Sequence, residues 1–451
     1  MVFMDEQEAL FPLKDVSQNK ETQKLPCGKP RLSSPIRNQV EMIMRTLDDL
    51  LPQEHLARDI WKYVEGLDLS LVLGKIQSVV GNAGRPAIDP KILLAIWLFA
   101  TAKGIGSARL IEEYCYEHIA FQWLCGGVSV NYHSISDFRS DHGEQLDDLL
   151  TQSVAILAYS GSISLEKVSQ DGMRVRANAG SSTFKREETL ENYLILAQFL
   201  VQDIKEEAEK NPGACKSREA AAQERAATER VERIKRALIE LKEVQKEKTE
   251  SKKRDNNKKI KQEVLEKVRA STTDPEARVM KMACGGFRPA YNVQFATTNV
   301  GKAIIGVDVS KKGTDYDQTL KMIDQVDARL GVVPDKWLQD AGYENQAELN
   351  KVGEKYKDCK IYMPVRVTKK NEDNPHKRSP KDSEVSAEWR ERMGTDEAKE
   401  IYKERGETAE FVNAQSRNKG LQQFFVRGVE KVTCVAILYA IFQNMVITLN
   451  V

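Results

Sequence analysis

Two parts of the chain carry the alternation of a β-strand, and a long helical run holds them apart. In the first, Ile163, Leu165 and Val168 are interleaved with polar residues and lead into Gln170-Asp171-Gly172, then Met173-Arg174-Val175-Arg176-Ala177. That pattern predicts a strand, an acid, a tight turn and a return strand. Strand signals resume at 290–295 and 303–309. Between them, from about 184 to 270, the sequence is densely charged and has helical period. Leu190, Tyr193, Leu194, Ala197, Val201 and Ile204 form one apolar stripe, Asn211-Pro212-Gly213 breaks it, and Val231, Ile234, Leu238 and Leu241 form a second. Two helices folded back on each other bury both stripes. The sheet must then assemble across an inserted helical hairpin. The basic residues that end this run, Lys252-Lys253-Arg254 and Lys258-Lys259, read as a solvated face ahead of the alternative, a phosphate-tracking arm.

Downstream, 318–330 has helical period, and Lys336-Trp337-Leu338-Gln339-Asp340 reads as a short strand ending on an acid before Gly342. A helix, a strand at 360–365, a lysine-rich loop and helical sequence from about 387 complete an α/β pattern with a mixed sheet. Upstream, residues 1–35 are polar with recurrent prolines and read as a flexible tail. From 36 to 160 the period is helical. Leu93, Ile96, Trp97 and Ala100 follow a start at Asp89-Pro90, and the pattern breaks at Lys103-Gly104-Ile105-Gly106. Ser107 then caps a second helix bearing Arg109, Leu110, Ile111 and Tyr114. Helix, glycine turn, helix is the outline of a helix-turn-helix. A similar outline recurs where the helix at 120–124 breaks at Gly126-Gly127 and Ser134 or Ser136 opens the next, bearing Arg139. An ordinary helical bundle with glycine in its loops gives the same pattern.

A net charge of +1 does not mark a nucleic-acid binder, so local clustering of basic residues has to carry any such reading. The seven cysteines are odd in number and include no C-x-x-C pair, which argues against a disulfide framework or zinc knuckle and for a reducing cytoplasm. The apolar stretch 432–451 is interrupted by Gln443, Asn444 and Asn450 and reads as a buried helix, so no membrane partner is expected.

In-line phosphodiester cleavage is served by carboxylates that hold hard divalent ions, with acids at the ends of adjacent strands and one on a neighbouring helix. Asp171 and Asp340 each close an expected strand at a glycine-containing turn, and Glu410 lies on expected helix. With 67 acidic residues available, position alone does not select these three. None of the five histidines has metal-ligand spacing; His133 and His142 read as capping or solvent-facing. Asp308, Asp315 and Asp317 stand where a strand gives way to a helix, and capping or turn chemistry accounts for them. Cys284-Gly285-Gly286 lacks the Lys-Ser/Thr of a phosphate loop, so no nucleotide cofactor is implied.

The surrounding segments add specificity. Residues 168–179 (VSQDGMRVRANA), 338–345 (LQDAGYEN) and 409–418 (AEFVNAQSRN) resemble the three catalytic blocks of the DDE transposases of bacterial insertion sequences. Arg85-Pro86 with Asp89-Pro90, Ser107-Ala108-Arg109 and 133–139 are similar to that family's helical N-terminal domain. So are 290–294 before the second block, and 424–428 with the closing helix to Asn444. The resemblance implies an RNase H-like (retroviral-integrase-like) catalytic core, with the first acid on the first strand, the second on the fourth and the glutamate on a late helix. It implies two Mg²⁺ ions, for which Mn²⁺ can substitute, flanked or bridged by Asp171 and Asp340 and ligated by Glu410. Glu404 and Glu407 are alternative ligands. Arg405 and Arg417 are expected at phosphates, a guanidinium suiting phosphate geometry. Arg109, Arg139 and Arg427 are further expected DNA contacts. The implied domains are a tail at 1–35, a helical DNA-binding domain at 36–160, a catalytic domain at 161–184 and 271–451, and the insertion at 185–270. The implied activity is binding of double-stranded DNA at inverted-repeat ends, then metal-dependent cleavage and transfer to target DNA. It is expected in the cytoplasm at the nucleoid, in a homo-oligomer of at least two chains. The alternative is a catalytically inactive DNA-binding descendant.

Overall fold

The computed structural model describes residues 35, 37–40, 42, 44–81, 85–210, 218–256, 262–367, 373–380 and 382–450. A compact unit runs from Thr46 onward. The expected tail at 1–35 (Pro35 apart), the break at Asn211-Pro212-Gly213 and the side chains of the 252–259 basic run lie outside the described residues.

Seven α-helices come first among the described residues: α1 (Leu56–Glu65), α2 (Ser70–Leu73), α3 (Pro90–Ala102), α4 (Ala108–Glu117), α5 (Ile119–Cys125), α6 (Tyr132–Ser140) and α7 (Gly143–Tyr159). Helix α3 starts as the sequence predicts, with Asp89 capping the Lys91 N–H and Pro90 at the first position, where its missing donor costs nothing. It is buried on nearly every side from Ile92 to Thr101, so it is the centre of the helical region rather than one face of it. Ser107 caps α4 through the Leu110 N–H. At α6 the cap is Asn131, which accepts from the Ser134 N–H at 2.9 Å, and not Ser134 or Ser136. His55 and His118 are the capping histidines, each accepting through Nδ1 at 3.1 Å.

The sheet follows. Strand β1 (Ser164–Arg176) runs without a break, so the turn expected at Gly172 does not form. Strands β2 (Phe184–Lys185) and β3 (Ala270–Ser271) pair with each other at the base of the insertion. The main sheet adds β4 (Arg278–Lys281), β5 (Phe287–Val300), β6 (Ile304–Ser310), β7 (Lys336–Leu338) and β8 (Lys360–Tyr362). Its order is β4-β5-β1-β7-β8, with β6 also on β5. Strand β5 pairs antiparallel with β1, β4 and β6, while β7 runs parallel to β1 and to β8. The sheet is therefore mixed, as the alternation of strands and helices predicts.

Between β2 and β3 rise α8 (Glu187–Lys210) and α9 (Arg218–Asn256), followed by α10 (Gln262–Glu266). Leu190 packs with Ala237 and Leu241, and Ala197 with Val231 and Ile234, so the two stripes meet as expected. Helix α9 is tied to the sheet through Glu240, which is buried between Arg278 of β4 and Lys311.

Helices α11 (Thr319–Leu330), α12 (Gln346–Lys355), α13 (Glu384–Met393), α14 (Asp396–Asn418) and α15 (Val429–Leu449) complete the unit. By length and composition α15 could cross a membrane, but two-thirds of its apolar window is buried against protein. It packs on α3, α6, α7 and β6, so the helical region and the sheet share one core. Asn444, fully buried, fixes this join. Its Nδ2 donates to Ser153 Oγ of α7 and to the Ile304 carbonyl of β6, and its Oδ1 accepts from the Ile304 N–H, all at 2.8–2.9 Å. At the other end, Asp274 and Glu276 accept the Gly428 and Val429 N–H groups, placing negative charge at the helix N-terminus.

Asn444→Ala leaves the Ile304 amide and carbonyl buried without partners. It is expected to lower unfolding free energy by about 2–4 kcal/mol. Urea denaturation followed by tryptophan fluorescence and by far-UV circular dichroism measures this; an unchanged midpoint would show that Asn444 does not hold the two regions together.

Candidate active site at the ends of β1 and β7

Strand β1 delivers Asp171 in mid-strand, and β7 ends just before Asp340. Because β1 and β7 are parallel neighbours, with Ser169 opposite Leu338, these two acids emerge side by side. Asp340 caps a single 3-10 turn, Ala341–Tyr343, accepting from the Gly342 N–H at 2.7 Å. One guanidinium nitrogen of Arg405, on α14, lies 3.0 Å from Asp171 Oδ1 and 3.9 Å from Asp340 Oδ2. Asn413, two turns further along α14, donates to Asp171 Oδ2 at 2.9 Å.

Behind the acids lies a buried polar network. Gln170 Oε1 accepts from Trp337 Nε1 at 3.0 Å and Gln339 Nε2 at 2.8 Å, and its Nε2 donates to Gln294 Oε1 at 3.2 Å. Gln294 also accepts from the Tyr343 hydroxyl and donates to Asp315 Oδ1 at 2.7 Å. Asn292 donates to the same oxygen at 2.8 Å. Asp315 therefore does not cap α11, whose N-cap, Gln318, makes no side-chain capping bond. Gly172 is opposite Gln294 in the β1–β5 register, and a Cβ there would overlap Asp315, Gln294 and Asn292. Space for these side chains, rather than a turn, is what the glycine provides.

Burial pushes the Asp171 carboxyl up to about 6; Arg405 pulls it the other way, and the like charges of Asp340 and Asp315 add to the rise. Burial, then Asp315, Asp171 and Asp340, hold the Tyr343 hydroxyl well above its ordinary value. The charge on Arg405 is disfavoured by burial but sustained by Asp171, Tyr402 and Asp340. Its Nε is buried without a hydrogen-bond partner.

Several expected site residues stand elsewhere. Glu410 is exposed on α14, away from the 405–409–413 line that faces Asp171. Glu404 pairs with Lys167 at 2.7 Å and Glu407 with Lys302 at 2.8 Å, so neither joins the two aspartates. Arg139 is 4% exposed, donates to the Gly106 carbonyl at 2.6 Å and stacks over Trp97, with burial lowering it to about 10. It braces the turn between α3 and α4, and as placed it cannot reach DNA. Arg405 is occupied by the aspartates. Arg109 is exposed over the Tyr132 ring, Arg427 is exposed, and Arg417 is half-buried. Among the described residues, no three His, Cys, Asp or Glu side chains stand close enough as placed to hold a metal ion.

Two family models match the chain. One, described as a transposase domain, covers residues 45–141, from before α1 through α6. The other, described as a transposase DDE domain, covers 336–447 and so includes Asp340, Arg405, Glu410 and Asn413, with Asp171 and Asp315 outside it. No curated protein and no solved structure matches.

The folded protein keeps the Asp171 proton up to about pH 6, against an ordinary value of 3.8. Between those values the folded state binds more protons than the unfolded chain, so this group makes stability fall as pH rises. Asp171→Asn is expected to flatten the fall, gaining about 2 kcal/mol on the wild type between pH 4 and pH 7. Urea unfolding across that range tests it, and parallel curves would place the Asp171 carboxyl in its ordinary range.

Proposed function

Starting from the premise that this chain is a DDE transposase of an insertion element, we propose that it binds the element's inverted-repeat ends and joins them to target DNA by metal-dependent chemistry at Asp171 and Asp340. The observation that carries this reading is the convergence of two aspartates, one within β1 and one just past its parallel neighbour β7, on one half-buried guanidinium. An RNase H-like core belongs to the same reading. Its support is the order β6-β5-β1-β7-β8, antiparallel through β1 and parallel beyond it. With β2, β3 and β4 set aside as pieces bordering the insertion, Asp171 lies on the first strand and Asp340 follows the fourth.

Divalent ions are the usual cofactors of such enzymes, and Mg²⁺ or Mn²⁺ is proposed here. The donor chemistry fits: the carboxylates are hard oxygen ligands, and Asp171, Asp340 and Asp315 set three negative charges against the single charge of Arg405. Asp171 and Asp340 would hold the cation. When bound it would stabilise the attacking and leaving oxygens of an in-line displacement. Asn413 keeps one Asp171 oxygen turned toward α14, and the Gly342 N–H fixes Asp340. Arg405 offsets part of the charge of the pair in the protein alone, and its guanidinium suits a phosphate. In the first step water adds to phosphorus and the element's 3′ oxygen leaves, taking up a proton. In the second that 3′ hydroxyl gives up its proton and attacks a target phosphodiester, and the target strand's own 3′ oxygen leaves and takes up a proton. Exposed Arg109 and Arg427 are the proposed backbone contacts, and a homo-oligomer acting at the nucleoid is the proposed setting.

The test is strand cleavage of a labelled duplex bearing the element's own end sequence, with Mg²⁺, Mn²⁺ or EDTA. Metal-dependent cleavage by the wild type, falling at least a hundredfold in Asp171→Asn and Asp340→Asn with end binding retained, is expected. Binding without cleavage in either metal would instead favour an inactive DNA-binding descendant. Glu410→Gln, run alongside, asks whether the glutamate serves the reaction from its exposed position.

A further inference from the structure

We infer that the outer face of α8 is the surface on which two copies of this chain pair, antiparallel and about a two-fold axis. It gives the homo-oligomer of the proposed function its interface and rests on that part of the reading, not on the metal chemistry.

From Tyr193 to Val201 the sequence YLILAQFLV has one polar residue, Gln198. A helix that is apolar all round belongs inside a core. Yet α8 packs chiefly against α9. Leu190, Tyr193, Leu194, Ala197 and Val201 take up that contact. Ile195, Leu196, Phe199 and Leu200 do not, and they form a second stripe roughly 140° round the helix from the first. At 43–65% exposure these four side chains offer on the order of 400 Å² of apolar surface, the size of patch that marks an interaction site. That is about half of the ~800 Å² each partner contributes to a stable interface, and exposed Asn192 and Asp203 begin a polar rim around it.

Charge selects what covers the stripe. Glu188, Glu191, Asp203, Glu206 and Glu207 border it at both ends, all exposed. Residues 188–207 hold one cation, Lys205, which the helical rotation turns to the other side. Such a rim repels DNA phosphates, and a helix that lies on a membrane carries Lys and Arg on its polar face instead. A second copy meets neither objection. Antiparallel pairing about the midpoint of 197 and 198 sets Leu196 against Phe199 of the other copy and Ile195 against its Leu200, each twice. Every large exposed side chain of the stripe then meets another, and Asn192 faces Asp203, amide to carboxylate. Glu188 and Glu207 also come opposite, but about 14 Å along the helix from the crossing point, where a crossing near 50° carries them apart.

The experiment is sedimentation equilibrium of the full-length protein without DNA. Wild type is expected at twice the chain mass in the micromolar range. Leu196→Glu with Phe199→Glu in one chain is expected to weaken the dimer at least hundredfold with far-UV circular dichroism unchanged, because both side chains are exposed on α8. Mixing Leu196→Glu chains with Phe199→Lys chains should give a heterodimer at least tenfold tighter than either homodimer, since the opposite charges meet in the antiparallel register. The mixture keeps the test decisive if the double variant loses helix. A monomeric wild type, or a dimer that survives the double substitution, overturns the inference. Loss in the double variant without recovery in the mixture overturns the antiparallel pairing. A dimer that shows no metal-dependent cleavage leaves this surface standing and removes the enzymatic reading, whereas a monomer that cleaves does the reverse.

Discussion

Strand β1 is hydrogen-bonded along both edges, antiparallel to β5 and parallel to β7, and this double pairing governs which side chains can meet. Successive side chains of a strand face opposite ways, so a slip of one residue would exchange every face. Here the register puts Gln170 into the buried network and leaves Asp171 facing α14. It also puts Gly172 against Gln294, where a larger residue has no room. The network would be costly if any member lost its partner, since unpaired polar groups in a core are penalised heavily. Gln170, Gln294 and Gln339 each use both their donor and acceptor ends, and the polar interior thereby locks the register that the acids need.

Electrostatics then decides what α14 contributes. Residues four apart fall on one face of a helix, and Arg405, Ala409 and Asn413 form such a line. A small residue at its centre lets the helix approach β1 closely: Ala409 is 3% exposed, while a cation and an amide above and below it reach Asp171. Glu410 is one residue further, about 100° round the helix, and that rotation carries it off the line.

Periodicity made much of this architecture legible. Strands β5 and β6, helices α3, α4 and α11, the paired stripes of the insertion and the acid after β7 all follow from apolar spacing, capping residues and glycines. What escaped was decided by tertiary contact. A glycine beside an acid reads as a turn, yet Gly172 lies in mid-strand and answers to neighbours more than a hundred residues away. An arginine on a recognition-like helix reads as a DNA contact, yet Arg139 is spent on a carbonyl and a tryptophan ring in the core. Asp315 looks like loop chemistry until Asn292 and Gln294 are seen to point at it. Two amide side chains, Asn292 and Gln294, alternating with apolar residues in mid-strand were the available signal, because buried amides need partners.

Helix α15 also dictates when the molecule can finish folding. It fills the core beneath α3, α6 and α7, yet it is the last helix in sequence, and the sheet and the insertion are translated between them. At roughly 5–20 residues per second the first helices wait on the order of tens of seconds for their inner wall. Throughout that interval the apolar sides of α3 and α7 stand open on a nascent chain, and Ser153 awaits the amide of Asn444. The helical region thus becomes a finished surface only when the sheet it rests on is complete.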